Sequence, residues 1–255
     1  MKNIVLSAKN VKRYYENENK EQFHAVDGIS FNLHRGEIIS FVGPNGAGKT
    51  TLLKSISNYL LPTSGEIKIK GIDLLKNPRK ARSELGVVFG GDRGFYNYAS
   101  ARANLEFFAR LLNVKEKDVK NNVREALEIV NLVDVADENA ASYSKGMLQR
   151  LHIARGLVSK PQILMLDEPT AGLDVESVMT VRKLIKTLAD EGRAIILTSH
   201  NMADIENLAE KIYLIGSGKI HFSGTVNEIK KFAHVDANTS LEEAYLAIAP
   251  TLKRK

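Results

Sequence analysis

The sequence predicts an α/β fold, in which a block of helices is inserted between two strands of a mainly parallel sheet. Two observations lead to this prediction. Short apolar runs of strand length alternate with segments of helical periodicity, which is typical of parallel sheets. The pattern becomes helical from about residue 100 and returns to alternation only after Pro161. We therefore expect one domain over residues 1–225, with the helical block at about 91–158, and a short helical tail over 226–255.

The first part of the chain is predicted to contain strands that are separated by polar or Gly-rich turns. A polar stretch over 16–22 is expected to form a loop or the tip of a hairpin, and apolar residues at helical spacing follow Thr51. The predicted strands are residues 4–11, 28–33, 37–42, 66–70 and 86–89.

The inserted block is predicted to contain three helices. Apolar residues of the first recur at i, i+4, i+7 and i+11, from Ala101 to Leu112. Residues 117–132 continue with helix-forming residues, and a third apolar series at helical spacing occupies 147–158.

After Pro161 the alternation of strands and helices resumes. Continuous apolar runs predict buried strands there. Two capping boxes, Thr225 with Glu228 and Ser240 with Glu243, predict helices in the tail. The other predicted elements are strands 163–166 and 194–198, helices 175–189 and 201–209, and a hairpin of 211–215 with 219–223.

Composition limits the classes of protein to which the chain can belong. None of its 255 residues is cysteine, which excludes disulfides and thiolate metal sites and is compatible with a reducing cytosol. No apolar run is long enough to cross a bilayer, so we expect a soluble protein that reaches a membrane only through a partner. The net charge of +6 comes from basic residues scattered among acidic ones. This favours a solvated surface, and we expect no nucleic-acid partner.

A Gly-rich loop lies between the predicted strand 37–42 and the following helix. In this setting its sequence predicts a phosphate-binding loop, because backbone N–H groups and a helix N-terminus attract a triphosphate. Lys49 is expected to contact the β- and γ-phosphates, and the Thr50 hydroxyl is expected to hold Mg²⁺. We therefore predict that the chain binds a nucleoside triphosphate. The predicted binding residues are Gly43, Pro44, Asn45, Gly46, Ala47, Gly48, Lys49, Thr50 and Thr51.

Polar residues also follow two other buried strands. Asp167 and Glu168 come after 163–166, and His200 comes after 194–198. In open α/β sheets ligands bind at the carboxyl ends of the strands, so these side chains are expected beside the phosphate loop. Asp167 is predicted to help hold Mg²⁺, Glu168 to polarise the attacking water, and His200 to donate to the γ-phosphate.

Ser144 and Gly146 lie at the start of the third helix of the block. A serine hydroxyl, a glycine N–H and a helix start together form a second anion site. The alternative is that Ser144 only caps its helix. Because one nucleotide rarely needs two such helix starts from one core, the pattern suggests an ATP shared between two protomers.

These motifs resemble, in order and spacing and over essentially the whole chain, the ATP-binding subunit of an ATP-binding-cassette (ABC) transporter. Residues 43–51 are similar to the Walker A loop, and 163–168 to the Walker B strand with its adjoining glutamate. Residues 171–174 are similar to the D-loop, 144–146 to the signature motif, and His200 to the switch histidine.

The resemblance implies a P-loop ATPase core of the ABC type, with an antiparallel β-subdomain and an inserted α-helical subdomain. It implies ATP hydrolysis with Mg²⁺ in a head-to-tail dimer, where Ser144 and Gly146 of one subunit contact the ATP held by the Walker residues of the other. The second subunit is an identical chain or a related one. A transmembrane permease subunit is the implied partner, at the inner face of the cell membrane. Tyr15 falls where an aromatic ring stacks on adenine, with Tyr14 as the alternative.

Three positions depart from the family pattern. The signature reads Tyr143-Ser-Lys-Gly-Met147 instead of Leu-Ser-Gly-Gly-Gln, and similar signatures occur in exporters of drugs, peptides and polysaccharides, which implies export. Gly90 stands where the family has a glutamine that contacts Mg²⁺ and water, and Asp92 is a candidate substitute. Ala171 replaces the usual serine of the D-loop.

Several alternatives remain open at this point. Phe95, Tyr96 and Tyr98 either line a groove for a helix of the membrane subunit or pack within the helical block. The chain could instead be a soluble ABC ATPase of an assembly or repair system, or a regulatory module that binds nucleotide without turnover. A nucleic-acid machine is disfavoured, because the chain has one cassette and no long coiled coil.

Overall fold

The computed structural model describes residues 3–16, 21–89 and 94–252. Within these residues the strands are β1 (Ile4–Glu16), β2 (Gln22–His34), β3 (Ile38–Val42), β4 (Ser64–Ile69), β5 (Ile72–Asp73), β6 (Leu85–Val88), β7 (Ile163–Asp167), β8 (Ala194–Thr198), β9 (Lys211–Gly216) and β10 (Lys219–Gly224). The helices are α1 (Lys49–Ile56), α2 (Pro78–Arg82), α3 (Ala101–Leu111), α4 (Glu116–Ile129), α5 (Lys145–Leu157), α6 (Val175–Asp190), α7 (Met202–Leu208), α8 (Val226–Phe232) and α9 (Leu241–Leu252).

The strands form two sheets. The larger sheet has six strands in the order β10-β9-β3-β8-β7-β6, all parallel except β10, which forms an antiparallel hairpin with β9. The smaller sheet is antiparallel and has four strands in the order β2-β1-β4-β5. The predicted α/β fold with an antiparallel subdomain is confirmed.

Alternate residues of the central strands face two different cores. Every residue of β3 and β8 is buried, as expected for parallel strands that are covered on both sides. Leu164 of β7 and Leu197 of β8 belong to the core shared with the helical block. Their neighbours Met165 and Ile196 belong to the core shared with the antiparallel sheet. The larger sheet is therefore the middle layer, because successive side chains of a strand point to opposite faces.

Helices α3, α4 and α5 lie between β6 and β7 in the chain, where the inserted block is predicted. Val119, Val123 and Leu127 of α4 recur at helical spacing and are all buried in the shared core. Helix α5 lies against β6 so closely that a Cβ on Gly86 would be 2.2 Å from the carbonyl oxygen of Gly156. The bounds of about 91–158 stay a prediction, since residues 90–93 lie outside the described residues.

The tail packs on the larger sheet. Ile229 of α8 and Ile248 of α9 share a core with Ile205 and Ile212, which belong to α7 and β9. Both predicted capping boxes are present. The division into a domain 1–225 and a tail 226–255 remains a prediction. No helix of the described residues has the length and apolar character that a membrane span requires.

Some elements differ from the sequence prediction. Strands β1 and β2 each have 13 residues, more than the predicted 4–11 and 28–33. Asn10 has φ 48°, and the register shifts between Ala8 and Val11, so the sequence alternation is interrupted although the strand continues. Of the stretch 16–22 that was expected to form a loop, Glu16 ends β1 and Gln22 begins β2, and 17–20 lie outside the described residues. β5 and α2 have two and five residues, too few for a periodic signal.

Candidate functional site

The predicted phosphate loop connects the carboxyl end of β3 to α1. Two positions of this loop require glycine, because the backbone of neighbouring strands lies too close for a side chain. A Cβ on Gly43 would lie 2.0 Å from the carbonyl oxygen of Ile215, and one on Gly48 would lie 2.1 Å from that of Ala25. Gly48 also has φ 104°, which favours glycine. Strands β9 and β2 thus hold the loop from two sides and fix the start of α1.

Lys49 is half-buried at the first position of α1. Its ammonium donates to the carbonyl oxygens of Gly43, at 2.6 Å, and Pro44, at 3.1 Å. Burial lowers the pKa of Lys49, while the charges of Glu168 and Asp167 oppose that shift. The loop thus presents a partly desolvated cation beside a helix N-terminus, and such an arrangement favours a further anion.

The predicted carboxylates and His200 meet at the ends of β7 and β8. Asp167 lies opposite Thr198, whose hydroxyl donates to Asp167 Oδ1. The backbone N–H of His200 donates to Glu168 Oε2 at 3.1 Å, and His200 Nε2 lies 3.3 Å from Glu168 Oε1. Because β8 pairs with β3, these groups share one edge of the sheet with the phosphate loop.

Glu168 has a strained backbone, with φ 54°. A left-handed conformation costs roughly 1 kcal/mol or more for a residue with a side chain. Hydrogen bonds on either side hold it, because Glu168 N–H donates to the carbonyl of Thr198 at 3.0 Å and Ala171 N–H donates to the carbonyl of Glu168 at 3.2 Å. Strain at this residue turns the chain out of β7 where the carboxylate meets His200.

The two tyrosines near the end of β1 have different surroundings. Tyr14 is stacked on His24 with a centroid distance of 3.9 Å, and its hydroxyl donates to Asp27 at 3.0 Å. Tyr15 is exposed, and the guanidinium of Arg13 lies 4.7 Å from the centre of its ring. Tyr14 is therefore engaged in internal contacts, whereas Tyr15 is accessible for stacking.

The signature residues lie at the start of α5. The Ser144 hydroxyl accepts from Met147 N–H at 3.2 Å and caps the helix. A Cβ on Gly146 would lie 2.3 Å from Ser177 Oγ of α6, so this close contact requires glycine. Tyr143 is buried and donates to the carbonyl of Val135 at 2.7 Å, and burial raises its pKa to about 12. The unusual tyrosine thus anchors the start of α5 while Ser144 itself stays exposed.

Some predicted site residues remain apart. In the part of the chain that the structure describes, no hydrogen bond or ion pair joins Ser144 or Gly146 to residues 43–51. Gly90 and Asp92, considered for the contact to Mg²⁺ and water, lie outside the described residues. Thr50 is exposed at the start of α1, and the described ranges hold no cluster of three or more acidic or histidine metal ligands.

The aromatic segment after Gly94 divides into a packed ring and two exposed rings. Phe95 packs against the core of the helical block, with His152 at 4.5 Å and Phe108 at 5.9 Å between ring centroids. Tyr96 and Tyr98 are 59% and 92% exposed. Tyr96 also makes an edge contact with Phe107 of α3, at 5.3 Å between ring centroids. The packing alternative therefore holds fully for Phe95, in part for Tyr96, and not for Tyr98.

Two neighbours of the site were not predicted from the sequence. Thr198 bonds Asp167, and Arg13 covers one face of Tyr15. The position of Thr198 at the carboxyl end of a buried strand was an available signal. Arg13 gave no signal, because basic residues are common in exposed strands.

This chain is similar to known proteins of one family. A family model described as "ABC transporter" matches residues 26–171. The ABC transporter ATP-binding protein NatA of Bacillus subtilis (strain 168) is 34% identical to this chain over 83% of it and 86% of NatA. The bacitracin transport ATP-binding protein BcrA of Bacillus licheniformis is 37% identical over 81% of this chain and 67% of BcrA.

A solved structure has the same architecture. The dimeric ATP-binding cassette MJ0796, in a post-hydrolysis state bound to ADP and Pi, superposes with a TM-score of 0.75 at 25% sequence identity. The similarity covers 86% of this chain and 98% of that chain.

Proposed function

This chain belongs to the ABC transporter family as an ATP-binding subunit with ATPase activity, and we propose from that premise that it powers export through a separate membrane subunit. The contact between Glu168 and His200 beside the phosphate loop carries the ATP-hydrolysis part of the proposal. Residues 43–51 would bind the phosphates of ATP, with Lys49 exchanging its carbonyl partners for phosphate oxygens.

Glu168 would act as the general base. It takes a proton from a water molecule, whose oxygen attacks the γ-phosphorus. The bond from that phosphorus to the bridging oxygen breaks, and ADP and phosphate are the products. His200 lies 3.3 Å from Glu168 and would donate a hydrogen bond to the γ-phosphate. The short distance between Glu168 and His200 supports these two roles, because both side chains must lie near the same γ-phosphate.

Thr50 and Asp167 are the residues that would hold Mg²⁺. A hydroxyl and a carboxylate supply the oxygen ligands that this ion prefers, and Asp167 is already fixed by the Thr198 hydroxyl. When bound, the ion would neutralise charge on the β- and γ-phosphates. Thr198 would keep the carboxylate oriented toward the edge of the sheet.

The ATP site is proposed to be shared between two copies of the chain. Ser144 is exposed at a helix start and makes no hydrogen bond to the phosphate loop within the described part of its own chain. MJ0796, the similar cassette, is a dimer. Ser144 and Gly146 of one copy would therefore contact the ATP held by residues 43–51 of the other. Tyr15, backed by Arg13, would stack on adenine.

The proposal also includes the direction of transport, which is export, and the membrane subunit that this chain would serve. BcrA, a relative, is named for bacitracin transport, and the Tyr143 signature resembles those of exporters. The partner would contact exposed apolar side chains on and next to α3, namely Tyr96, Tyr98, Phe107 and Leu111, and hold the chain at the inner face of the membrane.

Affinity capture from a detergent extract of the source cells tests the partner. We expect a multi-span membrane protein to co-elute with the tagged chain. The double variant Tyr96→Ser with Tyr98→Ser should lose it, whereas Leu246→Ser, an exposed apolar residue of α9, should retain it. Capture of soluble proteins alone would contradict export and favour an assembly ATPase.

A further inference from the structure

A buried carboxylate outside the predicted site connects its parts. Asp204 lies in the first turn of α7 and has no exposed surface. Its Oδ1 accepts from Arg182 Nε at 2.7 Å and lies 2.5 Å from the second guanidinium nitrogen. Its Oδ2 accepts from the Thr170 hydroxyl and, at 3.0 Å, from the Ser199 hydroxyl. Four donor atoms of three side chains, Arg182, Thr170 and Ser199, therefore converge on one carboxylate.

Two of the donors to Asp204 lie close in the chain to the proposed catalytic residues. Thr170 is two residues beyond Glu168, and Ser199 immediately precedes His200. The Ser199 hydroxyl also accepts from Asn201 N–H at 3.0 Å, so the segment is held on both sides of His200. The carboxylate therefore ties together the two chain segments that carry the contacting side chains.

The third donor extends this connection to α6. Arg182 belongs to that helix, which begins directly after the D-loop and is capped by Asp174. Ser177 of the same helix contacts Gly146 at the start of α5. One ion pair thus connects the ends of β7 and β8 to the helix that contacts the signature.

A carboxylate without exposed surface is costly unless charge and hydrogen bonds compensate it. Here each oxygen is satisfied, and the only cation among its described contacts is the guanidinium of Arg182. Replacing Arg182 would leave the Asp204 carboxylate buried without a paired charge, so the stability of this cluster depends on its partners together. A cluster of this kind fixes the relative positions of the segments that it joins.

We propose that Asp204 is a positioning residue for ATP hydrolysis, which holds Glu168 and His200 in their relative positions through Thr170 and Ser199. The inference rests on the function proposed above. Asp204 is fully buried, so its proposed role is indirect. Its effect is on turnover, because a small displacement of a catalytic group is costly even when binding is unchanged.

The test is a double-mutant cycle between Asp204→Asn and Glu168→Gln. Asp204→Asn should lower kcat per nucleotide site by roughly 100-fold, with sites counted by MgADP calorimetry so that unfolded protein does not enter the rate. The dissociation constant for MgADP should change by less than about threefold. Asp190→Asn, an exposed aspartate at the end of α6, is the matched control and should keep the parental kcat.

The cycle separates positioning from general destabilisation. In the Glu168→Gln background, Asp204→Asn should lower the single-turnover rate by no more than about fivefold, because the group that it positions is already disabled. An equal 100-fold loss in both backgrounds, or a weakened MgADP affinity with kcat per site intact, would overturn the proposal.

A second variant covers the case in which Asp204→Asn does not fold, and the Glu168→Gln result separates failure of this inference from failure of the proposed function. If Asp204→Asn does not fold, Ser199→Ala removes one donor without changing charge and should show the same non-additive loss, at about fivefold. Parental activity of Ser199→Ala would then overturn the proposal. If Glu168→Gln itself hydrolyses ATP at the parental rate, the proposed function fails. If only the Asp204 and Ser199 variants keep the parental rate, the positioning role alone is wrong.

Discussion

Replacing Glu168 by glutamine should stop turnover while nucleotide binding persists. Glutamine keeps the size of the side chain and an oxygen that can accept from the His200 backbone N–H, 3.1 Å away. The conformation at φ 54° costs the same for both residues. What is lost is the negative charge that takes a proton from water. The change therefore removes one chemical role with little structural disturbance.

The expected magnitude follows from that role. A positioned general base contributes roughly 10²- to 10⁴-fold, so the barrier should rise by about 3 to 5 kcal/mol. Although turnover slows, the affinity for MgATP should increase. Glu168 opposes the fall in the pKa of Lys49 that burial causes, but its charge also repels a γ-phosphate. Once phosphates neutralise Lys49, removal of Glu168 should tighten MgATP binding by up to about fivefold.

Phosphate release and calorimetric MgATP binding on the same preparation measure both effects. Glu242→Gln, an exposed glutamate in the first turn of α9, makes the same chemical change away from the site and should match the parental protein. If Glu168→Gln hydrolyses ATP at the parental rate, the reasoning from the contact between Glu168 and His200 is refuted.

Three further outcomes follow from other parts of the site. Lys49→Ala should weaken MgATP binding by roughly 10- to 100-fold, because a charge-assisted contact to phosphate is lost; undiminished binding in calorimetry would remove Lys49 from the site. Tyr15→Ala should weaken ATP binding by about 5- to 100-fold through lost stacking. Tyr14→Ala should instead lower the melting temperature, since Tyr14 contacts His24 and Asp27. The reverse pattern would exchange the roles of the two tyrosines. The free energy of unfolding should fall as pH rises from about 10, where unfolded tyrosines ionise, to about 12, where Tyr143 and Tyr213 ionise in the fold. Tyr143→Phe should remove roughly 2 to 3 kcal/mol of that fall in alkaline denaturation curves, and an unchanged pH slope would contradict the burial of its hydroxyl.

The central strands and the phosphate loop were predictable from the sequence, because their signals are local. β7 and β8 are continuous apolar runs, and each ends in the polar residue that the site uses. The rule that strand ends share one edge of a parallel sheet then predicted that Asp167, Glu168 and His200 lie together. The direct contact of Glu168 with His200 depends on φ at Glu168, which no pattern in the sequence indicates.

Other features depend on tertiary packing and could not be predicted. Asp204 resembles an ordinary acidic residue in the first turn of a helix, and its burial arises because the tertiary fold brings Arg182, Thr170 and Ser199 against it. The choice between Tyr14 and Tyr15 depends on strand register, and β1 contains shifts that a simple alternation does not reveal. Short elements such as β5 carry no periodic signal at all.

Cross-linking of two introduced cysteines tests the shared ATP site most directly. The chain has no native cysteine, so a maleimide reagent would react only at the introduced positions. In the Glu168→Gln background, one copy would carry Asn45→Cys in the phosphate loop and a second copy Lys145→Cys at the start of α5, both exposed positions. With a short bismaleimide, a cross-linked pair of the two copies should form in MgATP and not without nucleotide. A pair with Glu242→Cys in place of Lys145→Cys should not form. If no Asn45–Lys145 product appears while calorimetry shows both copies saturated with MgATP, the two copies do not share the nucleotide.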